Sequence, residues 1–309
     1  MGSHSRAPES RGRGGVSPRR TNTQVAGDKR IPWWVYVLIV LGVAVIGTVV
    51  ILSLQSCGHK EPPSYVSPYD WSQVVRGDDG RFTYTEDGVP ASQTGIDVSN
   101  HESDIDWKAV AGDGIDFAFV RIGYRGYTEG GIFVDDRFEA NFRGARGEGL
   151  AVGVYFFSQA TTVEEAQEEA DFVIEQLRGR QLELPVVFDF ESVGDGDART
   201  HDVTREQCTA NALAFCQRVS EAGYRPMVYM NLRDSSRYGL EQLQAAGIPI
   251  WYAQYDVEVA QAQFDFAIWQ YSESASVAGA GEVDIDILFL TAPIPAYPVV
   301  ASEETTNRG

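Results

Sequence analysis

The sequence predicts an α/β protein: a β/α barrel of the TIM type, preceded by a single transmembrane helix. Three observations carry this. Eight short apolar runs recur through the last two thirds of the chain, helical patterns separate several of them, and a long uncharged run stands upstream. Such alternation over roughly 200 residues favours parallel strands joined by crossover helices and closed into a barrel. An open doubly wound sheet is the competing arrangement. No G-x-G-x-x-G follows the first strand, so nothing supports a dinucleotide-binding version of it.

The 309-residue chain begins with a basic segment. Residues 1–30 hold seven Lys/Arg against two Asp/Glu, a balance of +5, whereas the other 279 residues hold 18 against 42, a balance of −24. The head reads as a disordered cytoplasmic tail. From Ile31 to Leu54 the run IPWWVYVLIVLGVAVIGTVVILSL has no charge. Its 24 residues would rise about 36 Å as a helix, enough for a bilayer core of about 30 Å. Trp33, Trp34 and Tyr36 fall where aromatic rings favour the interface, and the excess of Arg before the run places the N-terminus in the cytoplasm. The expected location is therefore the cell membrane, single-pass, with the acidic body outside. Leu54-Gln55-Ser56-Cys57 resembles a lipoprotein signal, which makes acylation of Cys57 an alternative anchor.

Residues 55–93 read as a linker, rich in Pro, Ser, Gly and Asp, that ends in a small hairpin-like extension. Arg76-Gly77-Asp78-Asp79-Gly80-Arg81 lies between two short strand-like runs, a pattern for a tight turn. The barrel follows over 94–291. Strands are expected at 95–98, 117–122, 151–157, 185–190, 226–230, 249–252, 267–271 and 283–290, with helices at 105–111, 135–148, 163–177 and 204–222. Thr204-Arg205-Glu206-Gln207 fits a capping box at the start of the last helix. Residues 292–309 form a Pro-containing C-terminal tail.

Several activities are excluded by what is missing. The acidic body repels phosphate backbones, so no nucleic-acid partner is expected. Only His101 and His201 occur in the barrel region and H-E-x-x-H is absent, so no metal and no other cofactor is expected. His101 reads as a solvated loop histidine. No G-x-S-x-G occurs for a serine hydrolase. Gly194-Asp195-Gly196-Asp197 lacks the spacing of a calcium loop and reads as an acidic surface loop. Cys208 and Cys216, eight residues apart on one helix, would be separated by about 12 Å of rise, too far for a disulfide.

In a barrel, chemistry belongs at the C-terminal ends of the strands. Asp97 ends the first strand, Asp189 and Glu191 close the fourth, and Asp284 and Asp286 lie in the last. Alternation puts Asp189 and Glu191 on the same side of their strand, about 7 Å apart along the backbone. Two confined carboxyls cannot both ionise without cost, so one keeps its proton beside a charged neighbour. Glycoside cleavage needs that combination. Tyr155, Phe156, Tyr229, Trp251, Tyr252, Tyr255, Trp269 and Tyr271 cluster near the same ends, each either core or a stacking face for a sugar.

The motifs then resemble a known family. Gly95-Ile96-Asp97-Val98-Ser99, Ile105-Asp106-Trp107, Gly114-Ile115-Asp116-Phe117, Arg121-Ile122-Gly123-Tyr124, Gly149 to Tyr155, Pro185 to Glu191, Trp269-Gln270-Tyr271 and Val283-Asp284 appear in this order. Together, over about 94–291, they resemble glycoside hydrolase family 25, the muramidases that include bacterial and phage cell-wall lysozymes. The resemblance implies an irregular (β/α)8-type barrel that hydrolyses the β-1,4 bond between N-acetylmuramic acid and N-acetylglucosamine in peptidoglycan glycan strands. It makes Glu191 the general acid/base and Asp189 the carboxylate that assists the substrate's N-acetyl group, with Asp97 and Asp284 lining the site. Tyr155, Tyr229, Trp251, Tyr255, Trp269 and Gln270 are the candidate substrate contacts. The chain departs from the family pattern at Asp286, where Asn is usual, and at Phe156-Phe157, where His or Tyr often follows the tyrosine. A monomeric catalytic domain is expected. A catalytically silent peptidoglycan-binding module is the alternative from another functional class.

Overall fold

The computed structural model of the chain describes residues 32–56, 65–102, 104–194 and 198–296, without the side chains of 36, 39, 44, 47 and 49–56. The basic tail over 1–30, Cys57, residues 195–197 of the acidic loop and the C-terminal tail from 297 lie outside the described residues. The chain divides into two compact units, residues 1–63 and 64–309.

In the first unit, helix α1 (Trp33–Ser56) forms over the apolar run, with no acidic residue in its first turn and no basic residue in its last. Among the described residues no helix is long and apolar enough to cross a membrane. The transmembrane helix expected over 31–54 is therefore not shown by the structure.

The second unit opens with a 3-10 turn (Trp71–Gln73) and a small antiparallel sheet of β1 (Val74–Arg76), β2 (Phe82–Glu86) and β3 (Val89–Pro90). The turn between β1 and β2 is closed by Gly77 N–H to Arg81 C=O, 2.8 Å. This extension buries aromatic rings against the outside of the barrel. Tyr69 stacks on Phe289 at 3.9 Å between centroids, and Phe82 stacks on Trp269 at 5.0 Å.

The barrel then runs in chain order through β4 (Ser92–Val98), α2 (Trp107–Gly112), β5 (Phe117–Arg125), β6 (Ile132–Val134), α3 (Phe138–Gly147), β7 (Ala151–Ser158), α4 (Val163–Leu177) and β8 (Val186–Phe190). After these come α5 (Arg205–Glu221), β9 (Pro226–Asn231), α6 (Leu240–Ala245), β10 (Ile250–Ala253), β11 (Ile268–Val277) and β12 (Gly281–Phe289). Around the ring the order is β4-β12-β11-β10-β9-β8-β7-β5, closed by pairing of β4 with β5, and β6 hangs on the end of β5.

This is a closed eight-stranded barrel with helices, but not the regular TIM barrel the alternation predicts. Strand β12 runs antiparallel to both neighbours, β11 and β4. A parallel return needs a crossover of a dozen or more residues, whereas only Ala278, Gly279 and Ala280 separate β11 from β12. Gly279 supports the hairpin with φ of +86°, and its carbonyl accepts the N–H of Asp106 at 2.9 Å. The reversal has a functional consequence. The N-terminal half of β12, carrying Asp284, lies at the barrel end where the other strands present their C-termini, so Asp284 stands directly across from Asp97.

Local sequence accounts for most elements. Thr162 caps α4 by accepting the N–H of Glu165, and Thr204 caps α5 by accepting that of Gln207 at 3.2 Å. The reciprocal half of the predicted capping box is replaced, since the Gln207 amide donates to Asn211 Oδ1 at 2.7 Å. Cys208 and Cys216 are free and buried on α5. Inside the barrel, Phe117 and Phe119 need space from neighbouring strands. A Cβ at Gly95 would sit 2.1 Å from the Phe117 ring and one at Gly153 2.3 Å from that of Phe119, so only glycine fits at either position.

Candidate active site

At the end of the barrel where β8 and β9 finish, a cleft of about 360 Å³ opens. Strand parity decides which side chains reach it. On β7 Tyr155 and Phe157 point into the cleft while Phe156 packs outward on Phe172; on β10 Trp251 points in while Tyr252 packs outward on Phe264 and Phe266. Nine of the ten candidate residues line it: Asp97, Asp189, Glu191, Asp284, Tyr155, Tyr229, Trp251, Tyr255 and Gln270.

Trp269 is the exception. Its neighbour Gln270 faces inward, so Trp269 is turned to the outer surface of β11, between Phe82, Trp71 and Tyr271, with Nε1–H donating to the Gln254 carbonyl at 2.9 Å. Its place is in the packing of the extension, away from the cleft. Asp286 is also outside the cleft. It is fully buried behind Trp251, whose Nε1–H it accepts at 2.8 Å, and its other oxygen has no hydrogen-bond partner.

The acids sit on rigid strands and are sparsely paired. Asp189 is 5% exposed, and its Oδ1 has no hydrogen-bond partner. Burial pushes this carboxyl well above the usual range and the charge of Glu191 adds to that, while Arg121 opposes it. Glu191 is raised by burial, against the stabilising bond its Oε2 accepts from Asn231 Nδ2 at 2.9 Å. Asp97 is raised by burial and by Asp284 and Asp286, against the bond its Oδ2 accepts from Gln270 Nε2 at 2.6 Å. Asp284 is pushed up to about 7 by burial and by Glu102 and Glu273.

Gln270 organises the far wall. While its amide nitrogen holds Asp97, its carbonyl oxygen accepts both Tyr229 Oη at 3.0 Å and Tyr255 Oη at 2.7 Å. Trp251 forms the floor, stacked on Phe119 and meeting Tyr229 and Tyr155 edge-on with centroids at 5.1 and 6.3 Å. Saturated, hydroxyl-rich rings are matched by such surroundings, with aromatic faces for C–H bonds and fixed polar groups for hydroxyls.

Four contributors escape the sequence reading. Asn231 touches Glu191 from the end of β9. Arg121 lines the cleft from β5, held by Asp135 through Nε at 2.7 Å and by the Asn100 side chain. Glu102 and Glu273 add acid at the rim, where His101 is exposed. Asn231 shares the strand parity of Tyr229, a signal that could have placed it. Among the described residues no group of three or more His, Cys, Asp or Glu could hold a metal ion.

The comparisons with known proteins agree with this geometry. Lysozyme M1 of Streptomyces globisporus is 29% identical over 195 residues, covering 59% of this chain and 63% of that protein. The autolytic lysozyme of Clostridium acetobutylicum is 24% identical over 185 residues, 59% of this chain and 51% of its own length. The chain thus spans between half and two thirds of these relatives. The solved bacterial lysozyme of Streptomyces coelicolor superposes with a TM-score of 0.53 at 25% identity, over 63% of this chain and 90% of that one. The sequence pattern that defines glycosyl hydrolases family 25 matches residues 96–280. With well over half of its length matched and its acids gathered in one cleft, this chain belongs to glycosyl hydrolases family 25.

Proposed function

We propose that the chain is a peptidoglycan muramidase, cleaving the β-1,4 bond between N-acetylmuramic acid and N-acetylglucosamine. The observation that carries this reading is the pair Asp189, buried at the end of β8, and Glu191, half-buried just beyond it, both raised and only Glu191 held by a neutral donor. Glu191 gives its proton to the glycosidic oxygen as the C–O bond breaks. The substrate's N-acetyl oxygen attacks the anomeric carbon, and Asp189 accepts or steadies the amide proton as that bond forms. Water, deprotonated by Glu191, then opens the cyclic intermediate and restores both groups, a substrate-assisted variant of the two-carboxylate scheme. Asp97 and Asp284, directly opposite each other on β4 and β12, present the charge they share to the developing oxocarbenium ion. Tyr155, Tyr229, Trp251, Tyr255 and Gln270 hold the sugar rings.

Membrane tethering belongs to the same proposal. It is supported by the uncharged run Ile31–Leu54, by the Arg-rich head before it, and by apolar side chains of α1 such as Trp33, Val40 and Ile46, which are 77, 67 and 66% exposed. Such a helix holds the catalytic unit outside the cytoplasmic membrane, beside the wall.

Incubation of the full-length protein with purified insoluble peptidoglycan tests the activity. Release of reducing sugar is the expected result. Retention on the wall without release would identify a silent binding module instead. Extraction with alkaline carbonate tests the tether: the chain should stay with the membrane, and its appearance in the wash would remove that part of the reading.

A further inference from the structure

Behind Glu191 lies a network that the chemistry above does not use. Asn231 Oδ1 accepts the backbone N–H of Asp234 at 2.8 Å, which fixes the amide so that Nδ2 must face the acids. That nitrogen donates to Glu191 Oε2 at 2.9 Å and to Asp234 Oδ2 at 3.1 Å. Asp234 is 1% exposed and grips the chain next to Glu191 as well, accepting Ser192 N–H at 3.2 Å and Ser192 Oγ–H at 2.5 Å. Arg233 reaches its Oδ2 at 3.3 Å, and Arg237 locks Ser192 Oγ from the other side at 2.6 Å. We propose that Asp234 is a positioning residue for Glu191: through Asn231 and Ser192 it fixes the carboxyl at the scissile bond, and its negative charge keeps a proton there until the leaving oxygen takes it.

Asp234 is suited to supply that charge. Although buried, it is held below the usual carboxylate range by Ser192, Asn231 and Arg233, which favour its ionised form. The same charge raises Glu191, and the Asn231 bond lowers it. The two influences oppose each other through one side chain. Glu191 also faces Asp189 at the end of β8, Tyr229 on β9, Tyr255 after β10, Asp284 on β12 and Arg233 in the turn. None of these makes a hydrogen bond to Glu191, whereas the Asp234–Asn231 unit does.

This proposal rests on Glu191 being the acid, so its test includes a measurement that does not require turnover. In full-length protein with carboxyl-13C glutamate, the Glu191 resonance is identified by its loss in Glu191→Gln and titrated in the parent, in Asp234→Asn and in Asn231→Ala. Asp234→Asn should lower the Glu191 midpoint by about 0.5–1 pH unit and Asn231→Ala should raise it by a similar amount. On peptidoglycan, the high-pH limb of kcat/KM should move the same way in each variant. One pH unit above the parent midpoint, Asp234→Asn should lose about 3–10-fold. Coincident titration curves, or a shift of both variants in one direction, would overturn the proposal. Should Asp234→Asn lose the near-ultraviolet dichroism of the parent, Asn231→Ala decides alone, and an unmoved midpoint there counts against. A parent inactive on peptidoglycan but with opposite shifts would leave the positioning intact and remove the muramidase reading.

Discussion

Two buried carboxyl groups on the helix side and the lumen side of the same barrel are treated in opposite ways. Glu169 on α4 is fully buried and is met by Arg125 Nε at 2.6 Å and Ser158 Oγ at 2.6 Å, so that burial lifts it only to about 7. Asp189, at the end of β8, is almost as deep, yet one of its oxygens has no partner, and it is held well above its usual range. A carboxyl that serves packing is given donors, since an unpaired buried charge costs several kcal/mol. A carboxyl left without them stores that cost in the folded state and is released from it by a substrate that supplies the missing partner or charge.

Substitutions on the two sides should therefore separate stability from activity. Glu191→Gln should lower kcat on peptidoglycan by at least about 10³-fold with an unchanged melting temperature, read by reducing-sugar release and thermal denaturation. Arg125→Met should do the reverse. It leaves Glu169 buried without its cation and should cost about 3–5 kcal/mol in denaturant unfolding while the molecules that remain folded keep their kcat. Asp189→Asn should reduce kcat by about 10²-fold, with stability unchanged or higher.

The effect at Asp284 is smaller and depends on pH. Its folded value of about 7 lies above the ordinary 3.8, so the folded state favours the protonated form. The stability this group contributes is complete below 3.8 and is lost as pH rises through 7. Asp284→Asn carries no such dependence. Its melting temperature should gain on the parent by a few degrees between those limits, and a constant gap across the range would contradict the placement of Asp284 in the acidic cluster. Trp269→Phe should matter least to catalysis. Losing the bond to Gln254 should cost about 1 kcal/mol of stability and change kcat/KM by less than about twofold.

The acids were legible in the sequence because each ends or opens an apolar strand, where polarity has no packing purpose. Strand direction was not legible. An apolar run reads the same either way, and only the shortness of Ala278-Gly279-Ala280 distinguishes the β12 hairpin from a crossover. Nor does a run of aromatics carry its own parity. Trp269 and Gln270 exchange roles if the strand rotates by one residue, and burial of the extension against β11 settles it. Asn231 and Asp234 lie 40 and 43 positions from Glu191, and their bonds to it and to Ser192 come only with closure of the barrel. Asp286, an acid by sequence and close to the others, serves instead as the acceptor for Trp251 beneath the site.

The muramidase reading has the acids of the cleft cutting peptidoglycan on the muramic acid side of its glycan. Mass spectrometry of digests reduced with borohydride tests it directly. The parent should release fragments ending in reduced N-acetylmuramic acid, and Glu191→Gln should release none above background. Fragments ending in reduced N-acetylglucosamine, or identical products from the parent and Glu191→Gln, would contradict it.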